Sequence, residues 1–136
     1  MGNRAVITTR ENFDNNGIGV YVHWNGGIHS ITAFLNYCEQ RGFRAPDEDN
    51  YGWARLTQVI ANFMGGDGLS VGVDTIDRLD CDNGDNGTYI IKGWKIVGHE
   101  YDTPCIDRHT IAELLKEIDE AQPATQQLGK KLKTEV

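Results

Sequence analysis

Residues 20–38, VYVHWNGGIHSITAFLNYC, pass from an alternating run through a glycine turn into a helical period, and this passage decides the fold class. Val20, Val22 and Trp24 alternate with Tyr21 and His23, a period of two that puts the two sets on opposite faces of a strand. Asn25, Gly26 and Gly27 end that strand, because glycine tolerates the positive φ that a sharp turn needs. A helix is then predicted with Ser30 as N-cap and Ile31, Phe34, Leu35 and Cys38 on one face, stopped at Gly42.

Working outward, Ala5–Thr8 reads as a short strand followed by a polar turn through ENFDNNG. After the acidic PDEDN comes a second helix, capped by Asp49 or Asn50, with Trp53, Leu56, Ile60, Phe63 and Met64 as its apolar stripe and Gly65-Gly66 closing it. Leu69, Val71 and Val73 alternate as a strand, DCDNGDNG supplies turn signals, and TYIIKGWKIVGHEY reads as two strands around a Lys92-Gly93 turn. Thr110 with Glu113 three residues on is a capping box, followed by Ile111, Leu114, Leu115 and Ile118 on one helical face. The order ββααβββα predicts one α+β domain over residues 1–121, a mostly antiparallel sheet with two to three helices packed on one face, and a polar, flexible tail over 122–136. The expected core is Ile31, Phe34, Leu35, Leu56, Ile60, Phe63, Val71, Val73, Ile90, Ile96 and Leu114.

The 136 residues suit a single core, and 39% hydrophobic with 24% charged content is that of a globular chain. No apolar run reaches the roughly 20 residues that span a bilayer, and the start, MGNRAVITTR, has no apolar secretory region and a Val where myristoylation wants Ser or Thr. Three cysteines, Cys38, Cys81 and Cys105, form no CxxC and point to free thiols in a reducing, cytoplasmic compartment. The net charge of −7 lies in the middle: residues 47–107 carry twelve acidic and four basic side chains. Such a surface repels phosphate backbones, so direct nucleic-acid binding is not expected; it can attract a basic protein partner, or serve solubility alone. An acidic sheet surface with aromatics also suits a homo-oligomer, of a subunit number the residues do not give.

Two stretches carry candidate chemistry. A strand running through Asn25, Gly26 and Gly27 into a helix start exposes amides with no helical partner, which can hold a phosphate or carboxylate, and His23, Trp24, His29 and Ser30 flank them. The same residues also make a plain strand-to-helix turn with Trp24 in the core. In DNYGWARL, Tyr51 can stack on a base and Arg55 pair with a phosphate, while Trp53 faces the core with Leu56. Walker and dinucleotide patterns are absent. The five aspartates from Asp74 to Asp85 fail the EF-hand spacing, the histidines and cysteines lack zinc spacing, and no metal or cofactor is expected.

At VYVHWNGG, YGWARLTQVI and NGTYIIKGWKIVGHEY the chain resembles a set of short uncharacterised proteins encoded by phages, prophages and mobile elements of Firmicutes, over about residues 1–101. That resemblance brings no catalytic residues with it. It implies a host-cell context in which small accessory proteins antagonise defence, by sequestering nucleotide signals or by binding a defence protein. Three readings follow: a non-catalytic module capturing a nucleotide-derived ligand with His23, Trp24, Asn25, Gly26, Gly27, His29, Ser30, Tyr51 and Arg55; an acidic inhibitor of a basic protein; and a small enzyme using His23 or His99 as acid–base.

Overall fold

The computed structural model describes residues 2–66 and 70–135. The fold is α+β. Strands β1 (Ala5–Thr9), β2 (Ile18–Val22), β3 (Val71–Thr75), β4 (Thr88–Lys92) and β5 (Lys95–Glu100) form one sheet in the order β3-β2-β1-β4-β5. Three of its pairings are antiparallel, and β1 with β4 is parallel. Helices α2 (Ile28–Gln40), α3 (Tyr51–Phe63) and α4 (Ile111–Ala121) pack together with one face of the sheet. The predicted turn after β1 is instead a short helix, α1 (Arg10–Asp14), because the Thr9 hydroxyl accepts the Asn12 amide and caps it.

Alternation sorts the strands into two buried faces. Ala5, Ile7, Val20, Val22, Tyr89 and Ile91 enter the main core with Phe34, Leu35, Leu56, Ile60, Leu114 and Leu115. Truncating a fully buried leucine such as Leu56 to Ala costs about 2–5 kcal/mol. The other face holds Val6, Thr8 and Ile90, also buried, and the segment after β3 crosses it. A Cβ on Gly19 would there meet Leu79 and Ile76, and the Thr88 hydroxyl donates to the Cys81 carbonyl at 3.0 Å. The Asn83 side chain orders the DCDNGDNG loop by accepting the amides of Asp85, Asn86 and Gly87. Those turn signals therefore build a lid over the back of the sheet.

Several expectations need correction. Val73 is 49% exposed, on a strand at the edge of the sheet. Leu69 lies outside the described residues. The last hairpin turns at Gly93-Trp94, one residue later than expected: Gly93 takes φ +60°, and Trp94 leaves the ladder to bury its ring and donate Nε1–H to the Phe43 carbonyl at 2.8 Å. The α4 capping box forms as predicted. Beyond it, Asp119 accepts the amides of Leu128 (2.8 Å) and Gly129 (3.0 Å), which lays the segment after Gln122 along the helices. Leu128 and Leu132 pack against the core there.

Candidate functional site

The turn after β2 is held from three sides. Asn25 takes φ +59°, the Gly26 amide donates to the Asn3 carbonyl at 2.8 Å, and the buried Tyr89 hydroxyl donates to the Gly26 carbonyl at 2.7 Å. A Cβ on Gly26 would lie 2.4 Å from that Asn3 oxygen, so only glycine fits. Helix α2 begins at Ile28 with Gly27 as N-cap, not at Ser30.

The reason is a distant residue. Asp107, between β5 and α4, accepts the amides of His29 (2.7 Å) and Ser30 (3.0 Å) through Oδ2 and the Ser30 hydroxyl (2.7 Å) through Oδ1. The Ile28 amide donates to the Cys105 carbonyl at 3.0 Å. The amides that sequence offers to an anion are thus occupied by the chain's own carboxylate, which the helix dipole favours at this end. A Cβ on Gly27 would sit 2.6 Å from Asp107 Oδ2, so this glycine admits the plug. His29 Nδ1 faces the His109 carbonyl at 3.1 Å, which fastens the same strap.

His23 and Trp24 stand beside this turn. His23 Nδ1 pairs with the Tyr21 hydroxyl at 2.8 Å, and its ring meets Trp24 edge-on at 5.1 Å. Trp24 is 47% exposed and so is not core. Arg4 lies nearby with Asp85 (2.8 Å) and Asp80 (3.2 Å); its hydrogen bonds and charge hold the Asp85 carboxyl below its ordinary value. His99 Nε2 pairs with the Asn86 carbonyl, so both histidines considered for acid–base work have structural partners. Among the described residues no three His, Cys, Asp or Glu side chains converge to hold a metal ion. Burial pushes the Cys38 thiol well above its ordinary value.

Tyr51 and Arg55 lie elsewhere. They belong to the first turns of α3, beside the loop that leaves the C-terminal end of α2, whereas His23–Ser30 stand at its N-terminal end. Thirteen helical residues at 1.5 Å each separate the two groups by about 20 Å. The structure therefore joins His23, Trp24, Asn25, Gly26, Gly27, His29 and Ser30 in one place, and Tyr51 with Arg55 in another.

Around Arg55 the fold gathers residues that sequence reading passed over. The guanidiniums of Arg41 and Arg55 lie 5.4 and 5.9 Å from the centroid of the Phe43 ring, cation–π distances. One hollow of about 270 Å³ is lined by Gly42, Phe43, Arg44, Tyr51 and Arg55. A second of about 270 Å³ is lined by Arg41, Phe43, Arg55, Gln58 and Gln126. Arg44 is paired with Asp49 at 2.8 Å, but among the described residues Arg41 and Arg55 form no ion pair. Tyr51 is 62% exposed and Trp53 is buried, the division that the helical spacing predicts. The available signal was the phrase EQRGFRAP, whose two arginines flank the glycine read only as a helix stop.

Set against protein-family models, curated proteins and solved structures, the chain has no match. Among the described residues no helix is long and apolar enough to cross a membrane.

Proposed function

We propose that the protein is a non-catalytic binding module that captures a nucleotide-derived anion at two adjoining hollows that share Phe43 and Arg55, one lined also by Arg44 and Tyr51 and the other by Arg41. One observation carries this reading: two guanidiniums stand over one aromatic ring without an ion pair among the described residues, in a chain of net charge −7. Where acid is in such excess, unpaired arginines at adjoining hollows favour an anion, and Tyr51 and Phe43 supply planes on which a base can stack. The likeness to short phage and prophage proteins supports a role as a host-cell accessory that sequesters such a ligand and so antagonises defence. The 23–30 turn belongs to the scaffold in this reading, because Asp107 fills its amides.

Isothermal titration with pyrophosphate, ADP, ADP-ribose and cyclic dinucleotides tests it. At least one nucleotide binds, and Arg41→Ala or Arg55→Ala each weakens binding by about 10–100-fold, the range of a lost charge-assisted hydrogen bond. No heat with any member, or unchanged affinity in the double variant, would refute the reading. Turnover of a nucleotide would replace it with the enzyme reading.

A further inference from the structure

The β3 edge of the sheet is a second surface, separate from the arginine hollows. β3 pairs only with β2 among the described residues, so its outer side carries a free ladder. The pairing alternates: His23 donates to the Ser70 carbonyl and Ile76 to the Gly17 carbonyl, which places Tyr21–Gly72 and Gly19–Asp74 as the bonded pairs between them. The backbone groups of Val71, Val73 and Thr75 consequently point outward. The Thr75 amide is taken by its neighbour Asp74 at 2.8 Å, leaving Val73 at the centre of the open edge with its side chain 49% exposed.

Beside that edge a cleft of about 290 Å³ is lined by Tyr21, Gly72, Asp74, Arg78, Leu79 and Asp80. Gly72 has no side chain to fill it, and a Cβ there would meet only Tyr21, at 3.9 Å. Residues 70–87 hold five aspartates and one arginine. The opposite edge strand, β5, is balanced in charge, with Lys95 and Glu100. Alternate residues of an added strand would face this cleft, where a lysine or arginine would meet the ring of Tyr21 and Asp74, which forms no ion pair among the described residues, whereas Asp80 is already paired with Arg4 at 3.2 Å and Arg78 also lines the cleft.

We propose that the β3 edge binds an extended basic segment of a partner protein by strand addition, with one basic side chain seated beside Asp74 in that cleft. Main-chain hydrogen bonds supply the affinity, and the acidic surround supplies a salt-sensitive association rate. The partner chemistry is that of a lysine- or arginine-rich segment such as nucleic-acid-binding proteins carry.

The probe is a fluorescent nine-residue peptide of alternating lysine and valine, measured by anisotropy on the whole protein. Binding is expected, weakening about tenfold between roughly 50 and 300 mM salt. Two versions N-methylated on alternate amides separate strand addition from bulk attraction: one set faces β3 and loses binding, while the other keeps it. Val73→Pro removes an outward amide without touching the ladder to β2 and also loses binding, with Asp74→Asn as a second variant whose folding is checked by urea melts. Equal binding by both methylated peptides, or unchanged binding in Val73→Pro, would overturn the proposal. A concentration-dependent dimer of the protein alone that Val73→Pro abolishes would assign the edge to a second copy and overturn it too.

Discussion

Asp107→Ala removes the group that holds the start of α2. Three hydrogen bonds go with it, from the amides of His29 and Ser30 and from the Ser30 hydroxyl, and Ser30 is fully buried. Losing a helix cap costs about 0.5–2 kcal/mol, and losing a negative charge near a helix N-terminus about 0.3–1 more. A buried polar group left short of a partner adds about 1–3, since the Asn25 Nδ2–H beside the Ser30 hydroxyl is a donor and cannot replace the lost acceptor. With overlap between these effects, the expected loss is about 2–4 kcal/mol, a fall in Tm of roughly 8–15 °C at this chain length. Asp107→Asn keeps one acceptor oxygen and loses the charge, so about half that loss is expected. Urea and thermal melts measure both, beside Asp82→Ala as an exposed control expected to stay within about 0.5 kcal/mol. Phosphate should then raise the Tm of Asp107→Ala more than that of the unaltered protein, because the freed amides again want an anion. An Asp107→Ala protein as stable as the control would refute the plug.

Gly27→Ala places a Cβ 2.6 Å from Asp107 Oδ2 and should cost about 1–3 kcal/mol, much less in an Asp107→Ala background; a double-mutant cycle reads the coupling. Asp119 is depressed below its ordinary value of 3.8: burial acts to raise it, but hydrogen bonds from Tyr37 and from the amides of Leu128 and Gly129 outweigh that. A depressed carboxyl contributes stability above its unfolded value and loses it as pH falls through the folded one, so stability should decline below about pH 4, with a shallower acid limb in Asp119→Asn. Tyr37→Phe removes the 2.6 Å bond to Asp119 and should cost about 1.5–3 kcal/mol by urea melts.

What the sequence made legible was local. The capping box at Thr110 and Glu113 spans three residues, and the apolar spacing of α2 and α3 repeats within each helix, so both could be read directly. The start of α2 could not, because its cap lies 77–78 residues downstream and no local pattern marks Asp107 as a partner for Ser30. Trp94 looked like a strand residue and became a turn residue because its indole bonds the Phe43 carbonyl, a contact between distant segments. The alternation of Val71 and Val73 was real, yet burial also depends on place in the sheet, and the sheet order leaves β3 at the edge. Tyr51 and Arg55 were singled out from one helix start, but Arg41 and Phe43 join them only because α3 folds back beside the end of α2.

The most direct measurement is a titration of the isotopically labelled protein with a nucleotide found to bind, following backbone amides and arginine Nε–H signals together by NMR. The two hollows predict saturable shifts at Arg41, Phe43, Arg44, Tyr51 and Arg55, with the amides of His29 and Ser30 unmoved because Asp107 holds them. Shifts centred on residues 23–30 with the arginine signals unchanged would contradict it, placing the ligand on the helix start that the structure fills from within.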